Sequence, residues 1–191
     1  MAFDFNLLHA LNSWTNHNKI LDWIFIFTAN YLVYIFAAMA ILYWFIYPAQ
    51  TKLLARKAVT LAFVSFVTAR LILTELIRRL LPRLRPTIPH PILDLSQKQT
   101  ESSFPSGHAT AMFSIAMAIY FYNKKLGWWL FAMAILTAIA RVVIGVHYPS
   151  DVVAGAIVGI LTAWVVEKAL AIKIEKLVQK LSDFSDRIFG K

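Results

Sequence analysis

Three short segments of this sequence combine arginine, serine, histidine and aspartate at spacings that suit one kind of reaction. They are Arg78-Arg-Leu-Leu-Pro-Arg-Leu-Arg85-Pro86, Phe104-Pro-Ser106-Gly107-His108 and Arg141-Val-Val-Ile-Gly-Val-His147-Tyr-Pro-Ser-Asp151. Arg78, Arg85 and Arg141 carry permanent charge and present forks of N–H donors that match phosphate oxygens. Gathered at a membrane edge, such charges are costly without an anion between them. Ser106 and Gly107 stand where a helix would begin. Free backbone N–H groups there, with the positive end of the helix dipole, make an anion site. Gly107 allows the backbone to approach the ligand closely. Asp151 follows His147 by four residues. A carboxylate at that spacing accepts from one imidazole nitrogen and leaves the other basic. His147 is therefore the candidate nucleophile, and His108, at the mouth of the anion site, the candidate general acid.

Each of these residues also has a plainer role open to it. Arginines at helix ends commonly snorkel to the interface, and a serine before a helix commonly caps it. A lone histidine is more often an interfacial or core residue than a catalyst. The joint placement of two histidines, Asp151 and the arginines favours the catalytic reading.

Positioning these groups requires several helices in a membrane. Of 191 residues, 59% are hydrophobic and only 15% charged, with mean hydropathy +0.62. A soluble domain carries about 25% charged residues, so the apolar surplus here must face lipid. The stretch 1–18 lacks the basic start, apolar run and small-residue cleavage site of a signal peptide. With no cysteine, disulfides and thiolate metal sites are excluded. The net charge of +9 is gathered at helix ends rather than on a basic face with interleaved aromatics, which argues against nucleic acid as a partner.

About 20 apolar residues span the hydrocarbon core as a helix. On that measure the spans are 21–47, 53–81, a short 108–122, 128–146 and 152–171. The expected fold class is all-α: one membrane-embedded domain over 1–191, with an interfacial helix at 1–20, a transmembrane core at 21–171 and an amphipathic tail at 172–191 lying on the membrane surface. Lys52, Arg56 and Lys57, then Lys124 and Lys125, then Lys168, Lys173, Lys176 and Lys180 fall on one side, which the positive-inside rule makes cytoplasmic. All three chemical segments then lie at outer helix ends. Arg78, Arg79, Arg83 and Arg85 break the charge rule there, which is understandable if they bind an anion. Arg70 and Glu75 lie inside the second span, where ionisable groups point to a function; five residues apart, they share a helical face poorly, and pairing between helices is favoured over a catalytic role. His9, His17 and His90 read as surface residues, and Trp128 and Trp129 as an interfacial belt.

The three segments resemble the signature motifs of the type 2 phosphatidic acid phosphatase (PAP2) superfamily: Lys-x6-Arg-Pro, Pro-Ser-Gly-His and Ser-Arg-x5-His-x3-Asp. The likeness covers 78–151, with Arg78 in place of the first lysine and Ala140 in place of the last motif's serine. It implies that Arg78, Arg85, Ser106, Gly107, His108 and Arg141 hold a terminal phosphate. It implies further that His147, oriented by Asp151, forms a phosphohistidine, and that His108 serves first as acid and then as base. Arg79 is a possible substitute for Arg78, and Glu101 either touches the leaving group or is a solvated loop carboxylate. No metal or other cofactor is implied. Within the superfamily the chain is similar to bacterial undecaprenyl-diphosphate phosphatases of the bacitracin-resistance type. That likeness implies a multi-pass protein of the bacterial cytoplasmic membrane, acting outside on a lipid diphosphate for cell-wall synthesis. The same site in other hands would serve phosphatidic acid, phosphatidylglycerol phosphate or lipid phosphotransfer. Membrane lipids are the other partners expected; the oligomeric state is not legible.

Overall fold

The computed structural model describes the backbone of residues 2–46, 49–87 and 102–189, and the side chains of residues 3–45, 53–87 and 102–180. The described residues are helical wherever they are regular. Helices α1 (Ala2–Asn12), α2 (Lys19–Asn30), α3 (Leu32–Ile46) and α4 (Ala49–Phe66) come first. A π-helical segment, Val67–Leu73, joins α4 to α5 (Thr74–Leu80), and α6 (Gly107–Tyr122), α7 (Lys124–Val143) and α8 (Pro149–Phe189) complete the chain.

Helix α6 is the hub, packed against α4, α7 and α8. Its 16 residues reach only about 24 Å, short of the roughly 30 Å hydrocarbon core. It meets little lipid, because Ala109, Met112, Ala116 and Ile119 are buried among its neighbours. Around it, Leu53–Leu80, Lys124–Val143 and Pro149–Lys180 are each long and apolar enough to cross a membrane. Their outward faces leave Phe63, Leu71, Ile135, Ile157 and Leu161 exposed, where the apolar surplus of the composition is spent against lipid.

Helices α6 and α8 approach backbone to backbone. Gly155 and Gly159, one helical turn apart on α8, face α6 in a small-residue contact. A Cβ at Gly159 would stand 2.5 Å from the Thr110 carbonyl oxygen and 2.9 Å from the Ser114 nitrogen, both backbone atoms. Gly159→Ala is therefore expected to lower stability by about 2 kcal/mol through overpacking. In detergent that corresponds to a melting temperature lower by roughly 4–8 °C, readable by intrinsic fluorescence; an unchanged value would contradict the packing.

Two elements differ from expectation. The first apolar run is two helices, α2 and α3, bent by 50° where they meet. The bend sits beside polar contacts. At the end of α2 the Thr28 carbonyl accepts from Thr137 Oγ1 at 3.3 Å, and the Ala29 carbonyl from Arg141 Nη1 at 3.5 Å. The tail, expected to lie on the membrane surface, continues the last span within a single 41-residue helix. Ile174 and Val178 are buried in the main core, and Glu175 pairs with Lys57 Nζ at 2.7 Å. Lys57 and Arg56 are themselves buried rather than splayed into water, with the Arg56 guanidinium 5.5 Å from the Trp44 ring centre. Trp128 and Trp129 are exposed beside Lys124 and Lys125, and His9 and His17 are exposed as expected; His90 lies outside the described residues.

Candidate active site

The ends of α5 and α7 and the starts of α6 and α8 meet at one end of the bundle, stitched together largely by backbone hydrogen bonds. Ser106 N–H donates to the Asp151 carbonyl at 3.0 Å, and Ser103 N–H to the Arg83 carbonyl at 2.9 Å. Arg85 Nη1 donates to the Val146 carbonyl at 2.9 Å, and Arg78 Nη2 to the Pro105 carbonyl at 3.4 Å. The three sequence segments are therefore one structural unit.

Helix α7 ends at Ile144, and Gly145 follows with φ 81°, a left-handed conformation that glycine adopts without steric cost. This reversal turns His147 back into the bundle, where it is 1% exposed, and Asp151 in the first turn of α8 is wholly buried. His147 Nδ1 lies 3.5 Å from Asp151 Oδ2, longer than a well-formed hydrogen bond. Such catalytic contacts commonly tighten when substrate binds. Asp151 is itself fixed from two sides: Oδ2 accepts from Tyr148 N–H at 2.9 Å and Oδ1 from Arg83 Nη1 at 2.7 Å. With Nδ1 turned to the carboxylate, Nε2 is the nitrogen left to act as a nucleophile.

His147 lies in the loop between two spans. Burial, above all, pushes its imidazole down to about 3; the positive charges of Arg141 and Arg85 act the same way, and the Asp151 carboxylate opposes them. The ring is neutral at physiological pH and keeps a lone pair. Arg85 and Arg141 are each 2% exposed. Arg141 Nη1 is further anchored by Asn30 Oδ1 at 2.9 Å, so the bend of the first apolar run serves the site.

Ser106 caps nothing with its side chain: its hydroxyl is buried without a hydrogen-bond partner, although it immediately precedes α6. The first intrahelical bond of α6 runs from Thr110 N–H to the Ser106 carbonyl at 2.9 Å. The N–H groups of the preceding turn, including those of Gly107 and His108, have no intrahelical acceptor. His108 is half-buried in that turn. Arg78 faces the site through Pro105, and the neighbouring Arg79 is exposed. Glu101 lies outside the described residues.

Sequence reading missed a second layer. Asp4 of α1 accepts from Ser150 N–H at 2.9 Å, from the Ser150 hydroxyl at 2.6 Å and from Arg83 Nη2 at 2.7 Å. Arg83 thus joins Asp4 to Asp151, and its guanidinium lies 3.9 Å from the Tyr148 ring centre. Burial works against ionisation of Asp4, but the hydrogen bonds from Ser150 and Arg83 and the Arg83 charge outweigh it and hold the carboxyl below its usual value. At the other end of α1, Asn12 Nδ2 donates to the Val143 carbonyl at 2.8 Å. Helix α1 therefore straps both ends of the loop that carries His147. No spacing rule could have paired Asp4 with residues 146 positions away; Asn30, a polar residue in an apolar run, was the better clue.

Asp4→Asn is expected to reduce kcat about tenfold with KM within about threefold, as is usual for supports behind a reacting group. Steady-state kinetics check it, and an unchanged kcat would remove the strap from catalysis. Among the described residues no cluster of histidine, aspartate and glutamate is arranged to hold a metal ion.

Comparison with known proteins places the chain in a family. A family model described as the PAP2 superfamily matches residues 58–173. The undecaprenyl-diphosphatase BcrC of Bacillus subtilis (strain 168) is 28% identical over 186 residues, covering 97% of this chain and 91% of that one. A Bacillus licheniformis protein named bacitracin transport permease protein BcrC is 33% identical over 155 residues, covering 80% of this chain and 73% of that one. Among solved structures, the crystal structure of Aquifex aeolicus LpxE superposes with a TM-score of 0.73 at 26% identity, covering 88% of this chain and 96% of that one.

Proposed function

We infer that this chain, which belongs to the PAP2 superfamily and is a membrane-embedded phosphatase, hydrolyses undecaprenyl diphosphate to undecaprenyl phosphate and phosphate. The observation that carries the reading is the buried His147–Asp151 pair beside Arg85 and Arg141. The diphosphate substrate is favoured by the similarity to the Bacillus subtilis undecaprenyl-diphosphatase over nearly the whole chain.

In the reaction we propose, Arg78, Arg85 and Arg141, the Ser106 hydroxyl and the N–H groups of the first turn of α6 grip the terminal phosphate. They neutralise the charge that builds on its oxygens. His147 Nε2 attacks phosphorus in line, and the bond to the bridging oxygen breaks. That oxygen leaves with the lipid monophosphate and takes a proton from His108. A water, deprotonated by His108, then cleaves the phosphorus–nitrogen bond and releases phosphate. Charge stabilisation of the kind Mg²⁺ supplies in other phosphoryl transfers comes from the guanidinium groups and the helix end.

The site end of the bundle is proposed to face outside the cytoplasmic membrane. Lys57, Lys124, Lys125 and Lys173 support this, because they lie toward the opposite helix ends and favour the cytoplasm. The decisive experiment is phosphate release by purified protein in EDTA from undecaprenyl diphosphate and from phosphatidic acid. Faster turnover of the diphosphate is expected. Preference for phosphatidic acid would move the assignment to lipid monophosphates, and phosphate appearing on an added alcohol would make the enzyme a phosphotransferase.

A further inference from the structure

Among the described residues Arg70 and Glu75 pair with each other rather than between helices as their spacing had suggested. The reason is the π-helical segment Val67–Leu73. Its wider turn brings residues five apart onto one face, and the Thr74 hydroxyl marks the register by donating to the Ala69 carbonyl at 2.8 Å. Arg70 Nη1 meets Glu75 Oε1 at 2.6 Å, and the same oxygen accepts from Arg78 Nη1 at 3.3 Å. One carboxylate is thus shared by two guanidinium groups, one of them already in the site.

The other edge of Arg70 lies against the phosphate cradle. A Cβ at Gly107 would be 2.6 Å from Arg70 Nε and 3.0 Å from its Cζ. A side chain at position 107 would push this guanidinium away from the start of α6. Arg70 also arrives from a distinct direction. Its backbone lies eight residues before that of Arg78 on the same rod, about 12 Å nearer the middle of the membrane. Arg78 and Arg85 reach the cradle from the helix ends, whereas Arg70 reaches it from deeper in the bundle.

We propose that Arg70 binds the group joining the terminal phosphate to the lipid, and so makes the site selective for lipid diphosphates over lipid monophosphates. In a diphosphate that group is a second phosphate, which gains negative charge as its bridging oxygen departs. In a monophosphate ester it is an uncharged carbon chain that offers a guanidinium nothing comparable. The Arg70–Glu75–Arg78 cluster carries a net charge of about +1, so it attracts the extra phosphate instead of cancelling it. Ionisable groups inside a span are expensive, and π-helical turns concentrate at functional sites. This inference rests on the phosphatase reading above.

The test compares farnesyl diphosphate with farnesyl monophosphate, which share a tail, in wild-type protein and in Arg70→Gln. The ratio of kcat/KM for diphosphate over monophosphate is expected to fall about 100- to 1,000-fold, the scale of losing one donor to a developing charge. A parallel loss on both substrates overturns the proposal and leaves the phosphatase reading intact. Turnover of neither by wild type removes both. If wild type hydrolyses only the diphosphate, the variant must lose about 100-fold on it, and a smaller loss counts against Arg70. Arg70→Lys retains the ion pair with Glu75 and decides the matter if the glutamine variant does not fold. Its ratio should fall about tenfold, because an ammonium cannot reproduce the fork, and an unchanged ratio refutes the idea.

Discussion

His147→Gln is expected to reduce turnover by about 10⁴- to 10⁶-fold, the scale on which loss of a covalent nucleophile is felt. Glutamine retains much of the size and polarity of imidazole in a fully buried site but offers no lone pair able to attack phosphorus. Wild-type protein quenched in alkali during turnover should carry phosphate on His147, and the variant should carry none. Residual activity above about 1% would remove the phosphohistidine from the mechanism. The pH dependence follows from the imidazole being pushed down to about 3, chiefly by burial and then by the Arg141 and Arg85 charges. An ordinary histidine takes up its proton near pH 6.5. As pH falls through that value the unfolded chain gains a proton at this position and the folded chain does not, so acidification costs stability while the folded ring stays neutral. Ring nitrogen shifts of His147 should therefore be constant between pH 7.5 and 5. A titration centred near 6.5 would contradict the burial.

Asp151→Asn is the second large effect, expected at about 10³- to 10⁴-fold in kcat by analogy with the loss of the orienting carboxylate in a serine protease triad. The substitution preserves shape, yet it removes the charge that fixes the Nδ1–H tautomer of His147 and stabilises the ring as it becomes cationic. Arg83 keeps its ion pair with Asp4 but loses the opposing charge of Asp151 at 2.7 Å, so the site gains one unit of positive charge. Binding of inorganic phosphate should be preserved or tightened, since the site becomes more positive. The rate of phosphoenzyme formation in a rapid quench should carry the whole loss. Formation at the wild-type rate, with only later steps slowed, would mean that Asp151 does not orient the nucleophile.

The amino-acid order alone determined the class of the fold and the main chemical groups. Spans long enough to cross a membrane announce themselves by apolar length, which depends only on local composition. His108, His147, Asp151, Arg85 and Arg141 sit at span ends within short motifs, so their convergence at one end of an antiparallel bundle follows from helix direction. Tertiary structure decided everything that depended on partners distant in the chain or on departures from regular geometry. At the bend between α2 and α3, Arg141 and Thr137 meet carbonyls at the end of α2, a contact between residues more than 100 positions apart. Asp4 and Arg83 became partners of Ser150 and Asp151 only when α1 packed against the start of α8. The pairing of Arg70 with Glu75 turned on one π-helical turn, since a spacing of five residues means opposite things in α- and π-helical backbones. Hydropathy and motif spacing are local quantities; a hydrogen bond between residues 4 and 150 is not.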